Sequence, residues 1–391
     1  MKLDQASPSK VDLVLVLGDF IVHGLSSQKP ETNNWPQMKP LISDQLKYLK
    51  TKFPQAVILC TTGNNDAVYY YQAPPNEEVK KLFYGDLYEM WFSGADAPKP
   101  NQDYPGLQGV KDTMMDGGYF RWDNIGGSDK HSVICLNTIY YHRLNQFDEE
   151  TASRQLIWLE TQLSQAPAGS KFILMMHIFP GLFYLDKIEY FWKVPSLKEF
   201  NRIISENSEK VLFITGAHIH FADIRAPIMQ SGGPDPKAVF LITPSVSPIF
   251  KNNPGYSIID LDSTTGKVTD FHWRYLDLNN FITNKADVKM TTVKPMVEFK
   301  MDLNDYKSVR RMDDYMLIDD QMYLNFMRKR TGESVLLKDI GLIVPKSSEG
   351  FLQGEAVKKV NLVQKQGIMC SRVFLEMESF NKCNEETRDW K

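Results

Sequence analysis

The stretch Val11-Asp12-Leu13-Val14-Leu15-Val16-Leu17 runs directly into Gly18-Asp19-Phe20-Ile21-Val22-His23. An apolar run of that length, closed by Gly and a polar residue, reads as an interior strand of an α/β sheet. The pattern recurs. Val57–Cys60 leads into Gly63-Asn64-Asn65-Asp66, Phe172–Met176 into His177, and Val211–Thr215 into Gly216-Ala217-His218-Ile219-His220. Loops leaving the carboxyl ends of such strands are where α/β folds assemble their sites. Taken singly, each motif has a plainer reading. Gly18-Asp19 and Gly63-Asn64-Asn65-Asp66 are good turns, His177 is a satisfied core histidine, and His218-Ile219-His220 is an alternating strand. Order and position after strand-like runs are what join them.

Together these ends offer carboxylate, amide and imidazole, a donor set that suits Zn, Fe or Mn better than Ca. Two divalent cations about 3.5–4 Å apart can clamp a phosphoryl group and generate a hydroxide nucleophile. A carboxylate must bridge them, and Asp19 suits that role. His23 stands nearby as a proton donor.

This set, in this order, resembles the calcineurin-like metallophosphoesterase superfamily. More narrowly it is similar to the acid sphingomyelinase-like phosphodiesterases and the endopolyphosphatases. The closer likeness is carried by Asp19 with His23 four residues on, and by His177-Ile178-Phe179-Pro180-Gly181. It is carried too by Thr243-Pro244-Ser245-Val246-Ser247-Pro248 with Asn253-Pro254-Gly255-Tyr256. Gly117-Gly118-Tyr119-Phe120, Leu136-Asn137-Thr138 and Gln155-Leu156-Ile157-Trp158-Leu159 also fit. The likeness covers residues 11 to 275 well and the tail more faintly.

The resemblance implies a four-layer αββα sandwich of two mixed sheets, with a mainly helical C-terminal extension. It implies that Asp19 bridges two metals, that Asn64, His177 and His218 complete one shell, and that His220 serves the other. His23 would be the general acid, and metal-bound water would attack phosphorus in line. Zinc is the first choice of metal, with iron or manganese as alternatives. Two departures stand out. Where the family commonly has Gly-Asn-His, this chain has Asn65, which can hydrogen-bond a phosphoryl oxygen but cannot act as an acid. Asn also occurs there in endopolyphosphatase-like members. The family's opening Asp-x-His motif, which supplies two ligands to the His220 metal, has no counterpart in Met1–Lys10. The first strand is therefore expected to be missing, through truncation or through a one-metal site.

Bulk properties agree with a soluble enzyme. The chain has 391 residues, 42% of them hydrophobic, and 45 basic against 48 acidic residues. A net charge of −3 gives no general pull toward nucleic acid, so no nucleic-acid partner is expected. No apolar stretch is long enough to span a bilayer, and no signal peptide opens the chain, although the family resemblance points to secreted or lumenal proteins. No Asn-x-Ser/Thr sequon occurs, which counts weakly against a glycosylated secreted protein. Cys60 and Cys135 sit inside apolar runs and read as buried thiols. Cys370 and Cys383 could match the disulfide-bonded C-terminal segment of the family or remain unpaired.

A β-α rhythm runs to about Asp262. Helices are expected at Ile42–Phe53, Asn76–Phe92, Phe147–Gln165 and Leu197–Asn207, with further strands at His131–Asn137, Ala238–Ile242, Tyr256–Asp262 and Thr269–Leu278. Residues 1–278 would form the catalytic domain and 279–391 the extension, with helix over 296–330 and a polar linker at Lys346–Glu355. Tyr69, Tyr70 and Tyr71, after the second motif, and the aromatic stretch Tyr184–Trp192 are the candidates for substrate contact, Tyr69 and Tyr70 first among the three; covering a sheet edge is their plainer role. The substrate would be a small phosphodiester, a phospholipid headgroup, a nucleotide or, on the second reading, polyphosphate. A third reading is a catalytically impaired relative that binds phosphate ligands or a protein. Lipid hydrolysis predicts an exposed apolar patch; polyphosphate hydrolysis predicts a basic track.

Overall fold

The computed structural model describes residues 11–27, 33–184, 187–229, 238–284, 290–334 and 362–386. The polar linker expected at Lys346–Glu355 lies outside them. The elements, in chain order, are β1 (Leu13–Val16), α1 (Trp35–Lys52), β2 (Val57–Cys60), α2 (Glu77–Tyr88), α3 (Lys99–Gln102), α4 (Leu107–Gly117), β3 (Phe120–Trp122), β4 (His131–Cys135), α5 (Glu149–Ser164), β5 (Lys171–Met175), β6 (Leu182–Tyr184), β7 (Ile188–Tyr190), α6 (Val194–Glu206), β8 (Val211–Gly216), β9 (Asp223–Arg225), β10 (Phe240–Ile242), β11 (Gly255–Leu261), β12 (Val268–Leu276), α7 (Leu278–Asn284), β13 (Met290–Val293), α8 (Pro295–Glu298), α9 (Tyr306–Ile318), α10 (Asp320–Lys329), α11 (Leu362–Val373) and α12 (Met377–Glu386). Mixed sheets with parallel strands, helices on both sides and a helical C-terminal region are the architecture expected.

They form two compact units. The first takes the described parts of residues 2–179 and 191–218, the second those of 180–190 and 219–391. In the first, β1 and β2 pair in parallel, from Leu13 against Val57 to Val16 against Cys60. A second sheet there has the order β3-β4-β5-β8, with β3 antiparallel and the rest parallel. The four apolar runs of the sequence are β1, β2, β5 and β8. Ile58, Leu59, Cys60 and Phe172 to Met176 are buried, as an interior parallel strand requires, whereas β1, expected to be interior, is half-buried along its length because it pairs with β2 alone among the described strands.

The helices follow their local signals. α1 begins at Trp35, well before the expected Ile42, because Pro36 sits in the first turn, where no backbone donor is needed. Asn76 caps α2 by accepting the Val79 N–H, and Phe83, Tyr84 and Leu87 bury one face. One π-helical turn, Glu89–Ser93, continues it and buries Trp91 and Phe92. That turn is why the periodicity extended to Phe92. Asp148 caps α5 and also pairs at 2.9 Å with the buried Lys80.

In the second unit β6 and β7 form a hairpin, β9 pairs antiparallel with β10, and β11-β12-β13 make an antiparallel sheet. Along β12, Phe271, Trp273 and Tyr275 are buried in alternation, the period-2 pattern of a strand with one covered face. Helices α9 and α10 fall in the expected 296–330 segment. The C-terminal part is fastened by buried charge. Asp223 meets Arg225 at 2.9 Å, Arg330 at 3.1 Å and Arg372, while Arg372 also meets Asp313 at 2.9 Å. Cys370 and Cys383 form a disulfide joining α11 to α12. Cys60 and Cys135 are buried free thiols.

Candidate functional site

The backbone at the ends of β1 and β2 is built for close approach. Gly18 has φ +80°, and a Cβ there would fall 2.5 Å from the Gly63 nitrogen. A Cβ on Gly63 would fall 2.2 Å from Asp19 Oδ1. Neither position has room for a side chain. Asp66 fastens the two loops together by accepting N–H groups from Asp19 at 2.7 Å, Gly63 at 2.9 Å and Ile21 at 3.0 Å. Asp19 and His218 both adopt left-handed backbone, with φ of 57° and 75°. Such conformations cost non-glycine residues about 1–3 kcal/mol and gather at functional sites.

The other half of the site comes from β5 and β8. Met176 N–H donates to Thr215 O at 3.1 Å and Ala217 N–H to His177 O at 2.9 Å. The parallel pairing thus continues past the strand ends and brings the His177 and His218 rings to 5.3 Å. Ile178 N–H donates to Thr138 Oγ1, and Trp192 Nε1–H donates to Ile178 O, both at 3.0 Å.

Around Asp19 the donors and acceptors can be assigned. Asn65 donates its backbone N–H to Asp19 Oδ1 at 2.9 Å and its side-chain amide to Oδ2 at 2.8 Å. His177 Nδ1 lies 2.6 Å from Leu17 O. A carbonyl only accepts, so Nδ1 carries the hydrogen, and the Nε2 of a neutral ring is a lone pair. That Nε2 faces two further acceptors, Asn64 Oδ1 at 3.0 Å and Asp19 Oδ2 at 3.3 Å. Acceptors converging in a buried place need a proton or a cation between them. Asp19, His177 and His218 each bring a ligand atom within 4.8 Å of the others'. The donor set of carboxylate, amide oxygen and two imidazoles fits a divalent transition metal. A backbone carbonyl behind His177 is the usual orienting partner of a ligating imidazole. The Asn65 side-chain oxygen is also buried and meets no donor among the described residues.

Electrostatics follow from the same contacts. Burial pushes the Asp19 carboxyl up, but the charge and hydrogen bond of His177, the Asn65 N–H and His218 override it and hold it well below the usual range. Burial pulls the His177 imidazole down, and Asp19 more than reverses this, so it ends above its ordinary value. Asp66 is pushed up to about 7 by burial and by the charge of Asp19.

A further layer lies behind His218. Tyr71, at φ +60°, stacks on His142 with ring centres 4.3 Å apart. Its hydroxyl lies 3.5 Å from His218 Nε2. His142 is buried, and that burial brings its pKa down to about 3, so it stays neutral. Its Nδ1 accepts the Leu144 N–H at 3.3 Å. Phe191 sets its ring edge against His218 at 5.0 Å.

The residues expected from the sequence divide as follows. Asp19, Asn64, Asn65, His177 and His218 come together. His23 brings a ring nitrogen within 4.8 Å of an Asp19 oxygen. Tyr70 is half-buried, its hydroxyl pushed up by burial while Asn64 and Tyr71 lie within its reach. Tyr69 is 7% exposed and makes backbone bridges to Ser27 and Gln72. In the aromatic stretch, Trp192 is buried and Tyr184 packs near Phe380. His220 belongs to the second unit, where its ring meets Phe250 edge-on at 4.6 Å and its carbonyl accepts the Ser245 N–H at 3.1 Å. Sequence reading offers Tyr71 only as one of three candidate substrate contacts, and it misses Asp66 as a clamp and His142. Asp66 stood inside the second motif and looked like a turn residue; nothing local marked His142.

The family model for calcineurin-like phosphoesterases matches residues 2–222. The chain is similar to sphingomyelinase phosphodiesterase D of Dictyostelium discoideum, 28% identical over 284 residues, covering 71% of this chain and 58% of that protein. It is similar to sphingomyelin phosphodiesterase 1 of Caenorhabditis elegans, 22% identical over 285 residues, covering 71% and 47%. The chain spans about half the length of the curated relatives it matches. A solved structure of PhoD shares 13% identity and a TM-score of 0.43, covering 72% of this chain and 63% of its own.

Proposed function

The chain belongs to the calcineurin-like phosphoesterase family, and from that premise we propose that it hydrolyses a phosphodiester of the sphingomyelin type. The observation that carries the reading is the convergence of His177 Nε2, Asp19 Oδ2 and Asn64 Oδ1 in a buried place. The names of the two curated relatives supply the substrate class. In this reading Asp19, Asn64, His177 and His218 hold a divalent ion, zinc being the first choice for two imidazoles and two oxygens. The ion would polarise a phosphoryl oxygen and lower the pKa of a bound water.

The chain's own residues do the rest. Asn65 aims both oxygens of Asp19 by donating to each. Leu17 O fixes the His177 tautomer, and the Tyr71 hydroxyl borders His218. His23, close to Asp19, gives its proton to the leaving alkoxide oxygen and recovers one from solvent. His220 is assigned to a second ion, as the resemblance implies.

The test is turnover of bis(p-nitrophenyl) phosphate and of sphingomyelin by the purified chain with added zinc or manganese, alongside elemental analysis. Turnover that falls at least about a thousandfold in Asp19→Ala and His177→Ala is expected, since the ligand set is broken. Unchanged turnover in either variant, or wild-type protein that binds no transition metal, overturns the assignment.

A further inference from the structure

One turn of the second unit reverses the usual arrangement of a surface loop. In Val246-Ser247-Pro248-Ile249-Phe250-Lys251 the apolar side chains face outward: Val246 is 75% exposed, Ile249 47% and Phe250 44%. The backbone is meanwhile tied inward. Ser247 N–H donates to Ser245 Oγ at 2.9 Å, and Lys251 N–H donates to Pro248 O at 2.8 Å. The buried Asn252 amide donates to Ser247 O at 3.1 Å, and the Ser334 hydroxyl donates to Lys251 O. At its base the turn is held by Gly255 N–H on Ser245 O at 2.8 Å. Exposed turns ordinarily carry polar side chains and leave their backbone to water. Here the bonds fall at Ser247, Pro248 and Lys251, a bonded frame that carries the three exposed apolar side chains.

We propose that the Val246–Lys251 turn is a lipid-docking tip that seats the protein on a phospholipid surface. Val246, Ile249 and Phe250 enter the acyl boundary, and Lys251, directly after them and exposed, meets the lipid phosphates, as cations flanking an interfacial segment do. Three side chains are too little for a stable protein partner, which needs about 1,200 Å² or more of total buried surface. Interfacial insertion asks only for a few apolar groups and a neighbouring cation. The choice of a lipid over a soluble phosphodiester rests on the phosphodiesterase reading. Docking and turnover can be read separately, because Val246 and Ile249, unlike Phe250 on His220, are not among the contacts of the proposed site residues given above.

The full chain is tested by co-sedimentation with sucrose-loaded vesicles of phosphatidylcholine, sphingomyelin and phosphatidylserine. The variants are Val246→Ser/Ile249→Ser, which leaves Phe250 in place, and Ile249→Trp. Vesicle binding by the wild type, reduced about tenfold or more in the serine double variant, is expected from the lost apolar area. A blue shift of the variant's fluorescence relative to wild type when Ile249→Trp meets vesicles is expected too. Turnover of soluble bis(p-nitrophenyl) phosphate should be unchanged in the double variant. If docking depends on the turn but neither form turns over that substrate, the tip stands and the hydrolase reading fails. No vesicle binding by the wild type, or equal binding by the double variant, overturns the proposal. Concentration-dependent dimerisation abolished by the double variant, without vesicle binding, would assign the turn to a second protein copy and also overturn it.

Discussion

At the scale of single residues, chemistry is decided by what stands behind each ligand. Asp19 can remain ionised in a buried place because Asn65 donates to both its oxygens and two imidazoles face it. Asn65→Ala should therefore weaken zinc binding about 10–100-fold, the usual effect of losing an orienting partner, measured by isothermal titration; unaltered affinity would show that Asn65 does not aim Asp19. Tyr71→Phe keeps the stack on His142 but removes the hydroxyl beside His218. The expected result is a several-fold loss of zinc affinity, up to about tenfold, with an unchanged melting temperature. A loss of stability instead would make Tyr71 a packing residue. The sequence showed the first ring of this arrangement, because Asp, Asn and His at strand ends are conspicuous. It did not show the second. His142 is remote in sequence from the four strand-end motifs, and its loop is tied to the Tyr71 loop by the Gln72 amide on Leu144 O at 2.8 Å and by Ala73 N–H on Asn145 Oδ1 at 2.9 Å.

At the scale of elements, the apolar runs announced β1, β2, β5 and β8, and the aromatic spacing announced α2. Short pieces such as β6, β7 and β13 were not announced, since three or four residues carry no periodicity. The disulfide that joins α11 to α12 was left open by sequence, because two cysteines thirteen residues apart fit a bond or two thiols equally. It closes Cys370 against Leu182 and Phe380. A loop of that length lowers the entropy of the unfolded chain by about 3 kcal/mol, so dithiothreitol should lower the melting temperature clearly; an unmoved transition would mean that these helices contribute little to the cooperative unit. Cys60 and Cys135 behave oppositely. Burial pushes the Cys135 thiol up to about 12 and the Cys60 thiol well above its ordinary value. Both should resist a thiol reagent at pH 8 and titrate only on unfolding; rapid labelling of the native protein would contradict their burial.

At the scale of the whole molecule, the second unit depends on buried charge. Asp223 is held well below the usual carboxylate range: burial opposes this, but Arg330, Arg372 and Arg225 outweigh it. A depressed folded pKa gives stability that is fully present above the unfolded value, near 4, and is lost as pH falls toward the folded one. Asp223→Asn should thus cost about 3–5 kcal/mol at pH 7, and its gap from wild type should shrink below about pH 4. Thermal melts of both forms across that range are the check; a gap independent of pH would place the cost in packing. None of these arginines stood out in sequence, because charge becomes informative only when burial denies it water.

By itself the sequence determined the residue types at the strand ends, the strands that carry them and the family they belong to, because period, turn chemistry and metal-ligand types are local. Tertiary structure alone decided how these ends converge. The register of β1 on β2, with no room for a Cβ at Gly18 or Gly63, sets Asp19 over the Asp66 clamp, and the β5–β8 pairing sets His177 beside His218. It also decided which tyrosine hydroxyl borders His218, that of Tyr71 at 3.5 Å, and which apolar turn stays outside. Those outcomes depend on groups far apart in the chain being brought within a few ångströms, and no local pattern records such distances.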